Sequence, residues 1–241
     1  MNNYRKTAIS VGVIFIIATV LNMLGNIPLN PILDTPDYLI SISANENQVI
    51  TGSLLVLLSA FASSGIAIGL YPVLRKHNEA LALGSVGFRV MEGMLYIVGV
   101  VGLLSLLTLS QEYVKAGAMN ASLFQVSGTL LLAVKTWAGQ LGVIAFTLGA
   151  LMYYYVFYQS KLIPRWLSGW GLIAAASSLA AALLVIGGQL VPFSTVFLLL
   201  QFPIFLQEMV LAVWLIIKGF NPSVIASRSW KTETNELLIA A

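Results

Sequence analysis

Six apolar segments, each long enough to cross a lipid bilayer, constrain the fold of this chain more than any other feature. A bilayer core about 30 Å thick takes roughly 20 consecutive apolar residues of helix. Only 9% of the 241 residues are charged, and the mean hydropathy is +0.91. The sequence therefore predicts an all-α, polytopic integral membrane protein, with a bundle of six transmembrane helices over 1–218 and a polar cytoplasmic tail over 219–241. The predicted helices cover about 7–25, 49–74, 80–109, 130–158, 166–187 and 194–217.

The composition disfavours several classes of function. The chain has no Cys and a single His, His77, so thiolate chemistry and zinc sites built from several histidines are excluded. The apolar segments hold no His and no Asp that could serve as the base of a serine nucleophile. We therefore predict no catalytic residue, no cofactor and no metal site. The net charge of +3 does not indicate a nucleic-acid partner.

The basic residues predict how the chain crosses the membrane. Nine of the 12 Lys and Arg residues flank the segments on one predicted side. Because cytoplasmic loops are enriched in Lys and Arg, both termini are predicted to be cytoplasmic. The stretch "YYYVFY" at 153–158 is interpreted as part of an aromatic belt at that interface. The nine residues are Arg5, Lys6, Arg75, Lys76, Lys161, Arg165, Lys218, Arg228 and Lys231.

Two further patterns concern local structure. In the acidic outer loop 26–48, Thr35 is predicted to cap a short helix that has Pro36 at its first position. Gly65 and Gly69 have the GxxxG spacing that favours close helix packing, either within the bundle or between copies.

Three charged residues lie inside predicted membrane helices. Arg89 and Glu92, in "GFRVMEG", share one helical face with Tyr96. Glu208 lies ten residues before Lys218, which places it at about the depth of Arg89. A charge at the bilayer centre costs roughly 2.5–3.5 kcal/mol, so Arg89 is predicted to bind one or both carboxylates.

This trio has two interpretations. One Arg and two Glu leave an excess negative charge, so one carboxyl is predicted to hold a proton near neutral pH. Gln201 lies two turns before Glu208 on the same face of the last segment. The residues then form either a ligand or proton site, made of Arg89, Glu92, Glu208, Gln201 and Tyr96, or an interhelical tether.

Lys135 also has two interpretations. Its long side chain could extend to the outer interface. Alternatively, Lys135 and Gln140 line an outer vestibule together with Asn22, which shares a helical face with Thr19 and Asn26. The vestibule would then be a second polar region on the outer side of the trio.

Several stretches of the sequence resemble a known family. They are "RVMEG", "LIPRWLSGWGLI", "QEMVLAVWLIIKGFN" and the outer "PDYLISISANENQV". Together they are similar to the bacterial membrane proteins known as domain of unknown function 4386, over about 5–222. The resemblance implies a six-helix, multi-pass protein of the bacterial cytoplasmic membrane, and no activity. The residues that match the family pattern are Arg89, Glu92, Pro164, Trp166, Glu208, Trp214, Lys218 and Gly219.

An intramembrane enzyme with Glu92 and Glu208 as an acid/base pair is disfavoured, and two functions lead. The first is binding or transport of a small ligand or a proton at a polar site between the third and sixth helices. The second is a structural or regulatory membrane subunit that associates with another membrane protein. The lipid bilayer is a predicted partner in both.

Overall fold

The structure is a computed structural model, and it describes residues 3–117, 121–192 and 194–226. Six long helices dominate it: α1 (Asn3–Asn26), α4 (Glu46–Leu74), α5 (Glu79–Ala116), α6 (Ala121–Ser160), α7 (Arg165–Ile186) and α8 (Thr195–Ile217). Two short helices, α2 (Asn30–Leu33) and α3 (Tyr38–Ala44), lie between α1 and α4, after a 3-10 turn at Ile27–Leu29.

The six long helices confirm the predicted fold class. Each is long and apolar enough to cross a membrane. No strand occurs among the residues described. The chain is therefore an all-α, multi-pass membrane protein whose outer surface contacts the lipid bilayer. At 1.5 Å per residue, α5 and α6 are about 57 and 60 Å long, so they extend well beyond a bilayer core of about 30 Å.

The six helices pack in chain order as a closed ring. Each long helix contacts the next one, and α8 returns to contact α1. We call the end that carries Arg5, Arg75, Lys161 and Lys218 the basic end, and the opposite end, where α2 and α3 lie, the loop end. The predicted basic residues Arg228 and Lys231 lie outside the described residues.

The contact between α1 and α8 closes this ring. Near the basic end, a Cβ at Gly12 would lie 2.6 Å from the carbonyl oxygen of Ala212, so the two backbones touch there. The Arg5 guanidinium donates to the carbonyls of Leu215, Ile216 and Ile217, at 3.3, 2.7 and 3.1 Å. These carbonyls have no partner within the helix, so Arg5 caps the C-terminus of α8.

The segment after α8 folds back onto the basic end. Gly219 has φ +73°, and a Cβ there would also lie 2.9 Å from an Arg5 Nη1 atom, so glycine is required twice. Phe220 is buried, and the Asn221 N–H donates to the Leu162 carbonyl at 2.8 Å. The first residues of the predicted tail therefore pack on the bundle, and 227–241 lie outside the described part of the chain.

The loop between α1 and α4 covers the loop end of the ring. Leu39 and Ile42 of α3 are buried in a cluster with Leu103 and Leu106 of α5. The helix begins at Tyr38, two residues later than predicted, because the Thr35 hydroxyl accepts from the Asp37 N–H in a turn that precedes it.

The aromatic stretch at 153–158 is not simply an interfacial belt. Tyr153, Tyr154 and Phe157 are completely buried, whereas Tyr155 and Tyr158 are exposed. The helical period divides the stretch, so one face enters the core and the other meets the surroundings. The two buried tyrosines contact polar residues of α8.

The two glycines of the GxxxG spacing differ. A Cβ at Gly69 would lie 2.8 Å from Val11 of α1, so Gly69 allows close packing within the bundle. Nothing lies within 4 Å of a Cβ at Gly65. Within the described residues, only one of the two therefore serves packing between these helices.

Candidate functional site

A cavity with two adjoining compartments lies inside the ring. The charged compartment, about 250 Å³, has Arg89, Glu92 and Glu208 on its wall. The loop-end compartment, about 300 Å³, has Lys135 and Gln140 on its wall. Side chains from α1, α4, α5, α6 and α8 line both compartments, whereas none from α7 does. The two compartments share four lining residues, namely Asn22, Tyr96, Val143 and Gln201.

This cavity brings together all eight residues that the sequence analysis singled out. Three line the charged compartment, two line the loop-end compartment, and three line both. In that order they are Arg89, Glu92 and Glu208; Lys135 and Gln140; and Asn22, Tyr96 and Gln201. The two predicted polar regions are therefore neighbouring parts of one cavity.

Arg89 forms its ion pair within its own helix. Its Nη1 lies 3.1 Å from Glu92 Oε2, and both side chains are almost fully buried. The spacing of three residues places the two groups on one face of α5. Because both partners belong to α5, this ion pair does not itself join two helices.

The neighbours of the ion pair come from α4 and α6. The Ser63 hydroxyl donates to Glu92 Oε2 at 2.9 Å, which links α4 to the carboxylate. The Arg89 guanidinium lies over the Phe146 ring, 4.8 Å from its centroid, which is a favourable cation–π distance. Arg89 Nε is buried and makes no hydrogen bond within the described residues. The guanidinium therefore retains an unused donor.

Glu208 is bound differently from Glu92. The Tyr153 hydroxyl donates to Glu208 Oε1 at 3.2 Å, which links α6 to α8. No ion pair reaches Glu208 from any residue that the structure describes. Glu208 thus lines the same compartment as Arg89 without the direct salt bridge that a tether between α5 and α8 would need.

The two glutamines of α8 both contact α7, with different consequences. Gln207 is fully buried: it accepts from the Tyr154 hydroxyl and donates to the Leu167 carbonyl at 3.1 Å. The side-chain oxygen of Gln201 accepts from the Ser178 hydroxyl, while the residue also lines both compartments. Gln207 is therefore structural, whereas Gln201 reaches the cavity.

Tyr96 lies where the two compartments meet. A Cβ at Gly142 of α6 would lie 2.7 Å from Cε1 of the Tyr96 ring, so the absence of a side chain at Gly142 makes room for the ring. Tyr96 makes no hydrogen bond with the described residues, and it lines both compartments. Tyr96 is therefore part of the wall of both compartments.

Polar groups without protein partners line the loop-end compartment. Gln140 and Ser53 are 2% and 1% exposed, and neither Gln140 Oε1 nor Ser53 Oγ has a hydrogen-bond partner in the described chain. Lys135 lies on the same wall and forms no ion pair with a described residue. Asn26, by contrast, donates to the Asn22 carbonyl at 3.1 Å.

The sequence analysis missed several residues around the site. Ser63, Phe146 and Tyr153 each contact one of the three charged residues. Tyr153 carried a readable signal, because residues 153, 154 and 157 share one helical face of "YYYVFY". No sequence feature identified Ser63 or Phe146 as a neighbour of the charged residues, since Ser and Phe are common in apolar helices.

The arrangement concentrates charged and polar groups inside the membrane-spanning helices. The buried cation, the carboxyl groups and the unused donors and acceptors can hold a polar ligand or a proton. The site hydroxyls of Ser63 and Tyr153 each donate to a carboxyl group of the charged compartment. Lys135, Gln140 and Ser53 add a second region for polar contacts.

Comparisons with known proteins identify a family and no individual relative. No curated protein and no solved structure matches the chain. One family model, described as "Domain of unknown function (DUF4386)", matches residues 10–219, which contain all six membrane-spanning helices apart from residues 3–9 of α1. The chain therefore belongs to the DUF4386 family.

Proposed function

We propose that this membrane protein binds a small polar ligand in the cavity inside its ring, with Arg89, Glu92 and Glu208 as the charged wall. The observation that carries the proposal is the geometry of the trio. Arg89 pairs with Glu92 inside α5, while Glu208 faces the same compartment with no cation paired to it within the described residues. A proton is the smallest ligand that Glu208 could hold.

The cost of the arrangement supports binding over a purely structural role. A carboxyl group inside a membrane protein is expensive unless it has a partner or a function. Tyr153 supplies one hydrogen bond to Glu208, which an uncharged Gln side chain could accept equally well. The side-chain contact between α6 and α8 thus does not require an acid at this position.

A structural or regulatory subunit is the second candidate. Two hydrogen bonds favour it, because Ser63 to Glu92 joins α4 to α5 and Tyr153 to Glu208 joins α6 to α8. In this alternative the charged residues hold the ring together, and the exposed helix faces bind another membrane protein.

The proposal includes an orientation and a location. Seven basic residues lie at the basic end in the described chain, and by the positive-inside rule this end is cytoplasmic. The protein is then a component of the bacterial cytoplasmic membrane, with both termini inside. The loop end, where α3 covers the ring, faces outward.

Ligand-dependent thermal stability in mild detergent tests the binding proposal. Cationic, zwitterionic and anionic compounds are screened against the wild type, Glu208→Gln and the matched control Glu112→Gln, in which an exposed Glu is changed. A compound at about 100 times its dissociation constant adds roughly 2.7 kcal/mol to stability. We expect at least one compound to raise the melting temperature of the wild type and of Glu112→Gln, but not of Glu208→Gln.

The contrary result is equally specific. If no compound distinguishes Glu208→Gln from the control, the carboxyl does not bind a ligand. If Glu208→Gln strongly lowers the melting temperature of the unliganded protein, Glu208 has the structural role described for the second candidate function.

A further inference from the structure

The structure points to the class of ligand that the loop-end compartment takes. We propose that it binds a small monocarboxylic acid carrying a second hydrogen-bonding group, with the carboxylate at Lys135 and the second group at Gln140. The inference rests on the proposed function, since it names the ligand class for the loop-end part of the same cavity.

Charge is the first argument. Lys135 is the one charged residue on the described wall of this compartment, and it forms no ion pair. Asp34 does not line the compartment. One positive charge in a low-dielectric cavity favours one negative charge, which a monocarboxylate supplies and a phosphate dianion exceeds.

Unused hydrogen-bonding capacity is the second argument. Buried polar atoms usually have partners, so a buried group without one points to something the protein chain does not supply. Gln140 Oε1 and Ser53 Oγ are two such atoms, and both residues line this compartment. A hydroxyl or amino group on the ligand would give Gln140 its missing donor.

The other lining residues and the volume of the compartment indicate the polarity and size of the rest of the ligand. Val56, Val100, Leu103 and Phe197 make most of the other surface apolar. A volume of about 300 Å³ lies at the small end of ligand sites. A short aliphatic acid with a hydroxyl group fits these three properties together.

Tyr96 gives the compartment its inner limit. It stands between Lys135 and the ion pair of Arg89, and its ring is held beside Gly142. Gly99 of α5 lies at the level of the Lys135 backbone, ten residues beyond Arg89, so the backbone positions of Arg89 and Lys135 are offset by about 15 Å along the helix axis. The Lys135 site is thus distinct from the charged compartment and can be tested alone.

Equilibrium dialysis of the purified, full-length protein in detergent tests the inference. The probe is radiolabelled 3-hydroxybutyrate, with butyrate, butyramide and chloride as unlabelled competitors. We expect competition by butyrate that is several-fold weaker than by 3-hydroxybutyrate, and none by butyramide, which lacks the charge. Chloride competing as well as 3-hydroxybutyrate would overturn the carboxylic acid assignment in favour of a simple anion.

Variants assign the residues. Lys135→Met should weaken binding at least about tenfold, and Gln140→Leu roughly three- to tenfold with a smaller loss for butyrate, which lacks the second group. Lys115→Met is the matched control, because Lys115 is an exposed lysine near the loop end. This variant should bind 3-hydroxybutyrate with the affinity of the wild type. Lys135→Arg keeps the charge and should retain binding, which separates lost binding from lost folding.

Two further results would overturn the inference. The first is that Lys135→Met binds 3-hydroxybutyrate as tightly as the wild type does. The second is that the wild type shows no binding at 3-hydroxybutyrate concentrations up to about 100 times a millimolar dissociation constant. Neither result affects the Glu208-dependent screen, so this inference and the proposed function fail by different measurements.

Discussion

At the scale of single residues, the central fact is that Arg89 is neutralised by a partner from its own helix. The pair is buried, accepts a hydrogen bond from α4 and lies against an aromatic ring of α6. Removing one member of a buried pair leaves the other as an unpaired charge, which costs more than the pair contributed. The identity of the partner therefore decides which variants are tolerated.

Arg89→Met tests the assignment of that partner. The substitution leaves Glu92 as a buried carboxylate without a cation. We therefore expect the substitution to lower the free energy of unfolding by about 3–5 kcal/mol, measured by denaturant titration in detergent. Charge exchange between Arg89 and Glu92 should recover more stability than exchange between Arg89 and Glu208. Lys115→Met removes an exposed pair and should change stability by less than about 1 kcal/mol. Greater recovery through Glu208 would contradict the geometry.

Gly142→Ala tests how closely Tyr96 is packed. The added Cβ would lie 2.7 Å from the ring, so the ring must move toward the cavity, at a cost of about 1–3 kcal/mol. Gly139→Ala, on the same helix, has nothing within 4 Å of its Cβ and should be neutral or stabilising. Thermal unfolding of the two variants provides the comparison, and Tyr96→Ala should rescue Gly142→Ala. Equal melting temperatures for the two glycine variants would show that the ring is free to move.

The sequence predicted which residues line the cavity better than it predicted how they pair. Charges, amides and a tyrosine in apolar helices are conspicuous, and all eight line the cavity. Which carboxylate pairs with Arg89 depends on the directions of the side chains and on the arrangement of the helices. Neither can be read from a single sequence. Arg89 had two carboxylates at similar depth, and the choice of Glu92 follows from contacts with Ser63 and Phe146.

At the scale of elements, the contact between α1 and α8 is what turns six helices into a ring. It combines close backbone approach at Gly12 with the cap that Arg5 forms on three carbonyls of α8. Hydrogen bonds from a charged donor contribute about 1.5–3 kcal/mol when partly shielded from water. The N-terminal turn of α1 therefore stabilises the C-terminal turn of α8.

Arg5→Gln should weaken this contact selectively. Losing the cap should lower stability by about 1–3 kcal/mol and speed amide exchange in the last turn of α8. The neighbouring Lys6 is exposed, so Lys6→Gln serves as the control and should change neither quantity. Hydrogen exchange followed by mass spectrometry distinguishes the two variants. Unchanged exchange at 213–217 in Arg5→Gln would mean that the cap is dispensable.

The elements were predictable in number and less so in their ends. Hydropathy locates a membrane helix because lipid requires an apolar surface. It does not mark where a helix continues into water, and α6 begins at Ala121, nine residues before the predicted start. Ring closure was not predictable, since Arg5 read only as a positive charge on one side of the membrane.

At the scale of the whole molecule, the orientation can be tested directly, because the chain contains no Cys. Glu79→Cys and Ala116→Cys place a single thiol at opposite ends of α5. With the basic end cytoplasmic, a membrane-impermeant maleimide should label Ala116→Cys in intact spheroplasts and Glu79→Cys only after permeabilisation. The reverse pattern would place the basic end outside.

The ring also has a consequence for how the protein is made. The wall of the cavity is incomplete until α8, the last of the described helices in chain order, supplies Gln201 and Glu208. Arg89, by contrast, enters the bilayer on α5 together with Glu92, so cation and anion are inserted as one net-neutral unit. Glu92, which neutralises Arg89, is thus synthesised well before α8, the helix that completes the compartment. A nascent chain that contains only the first five long helices therefore already has Arg89 in an ion pair.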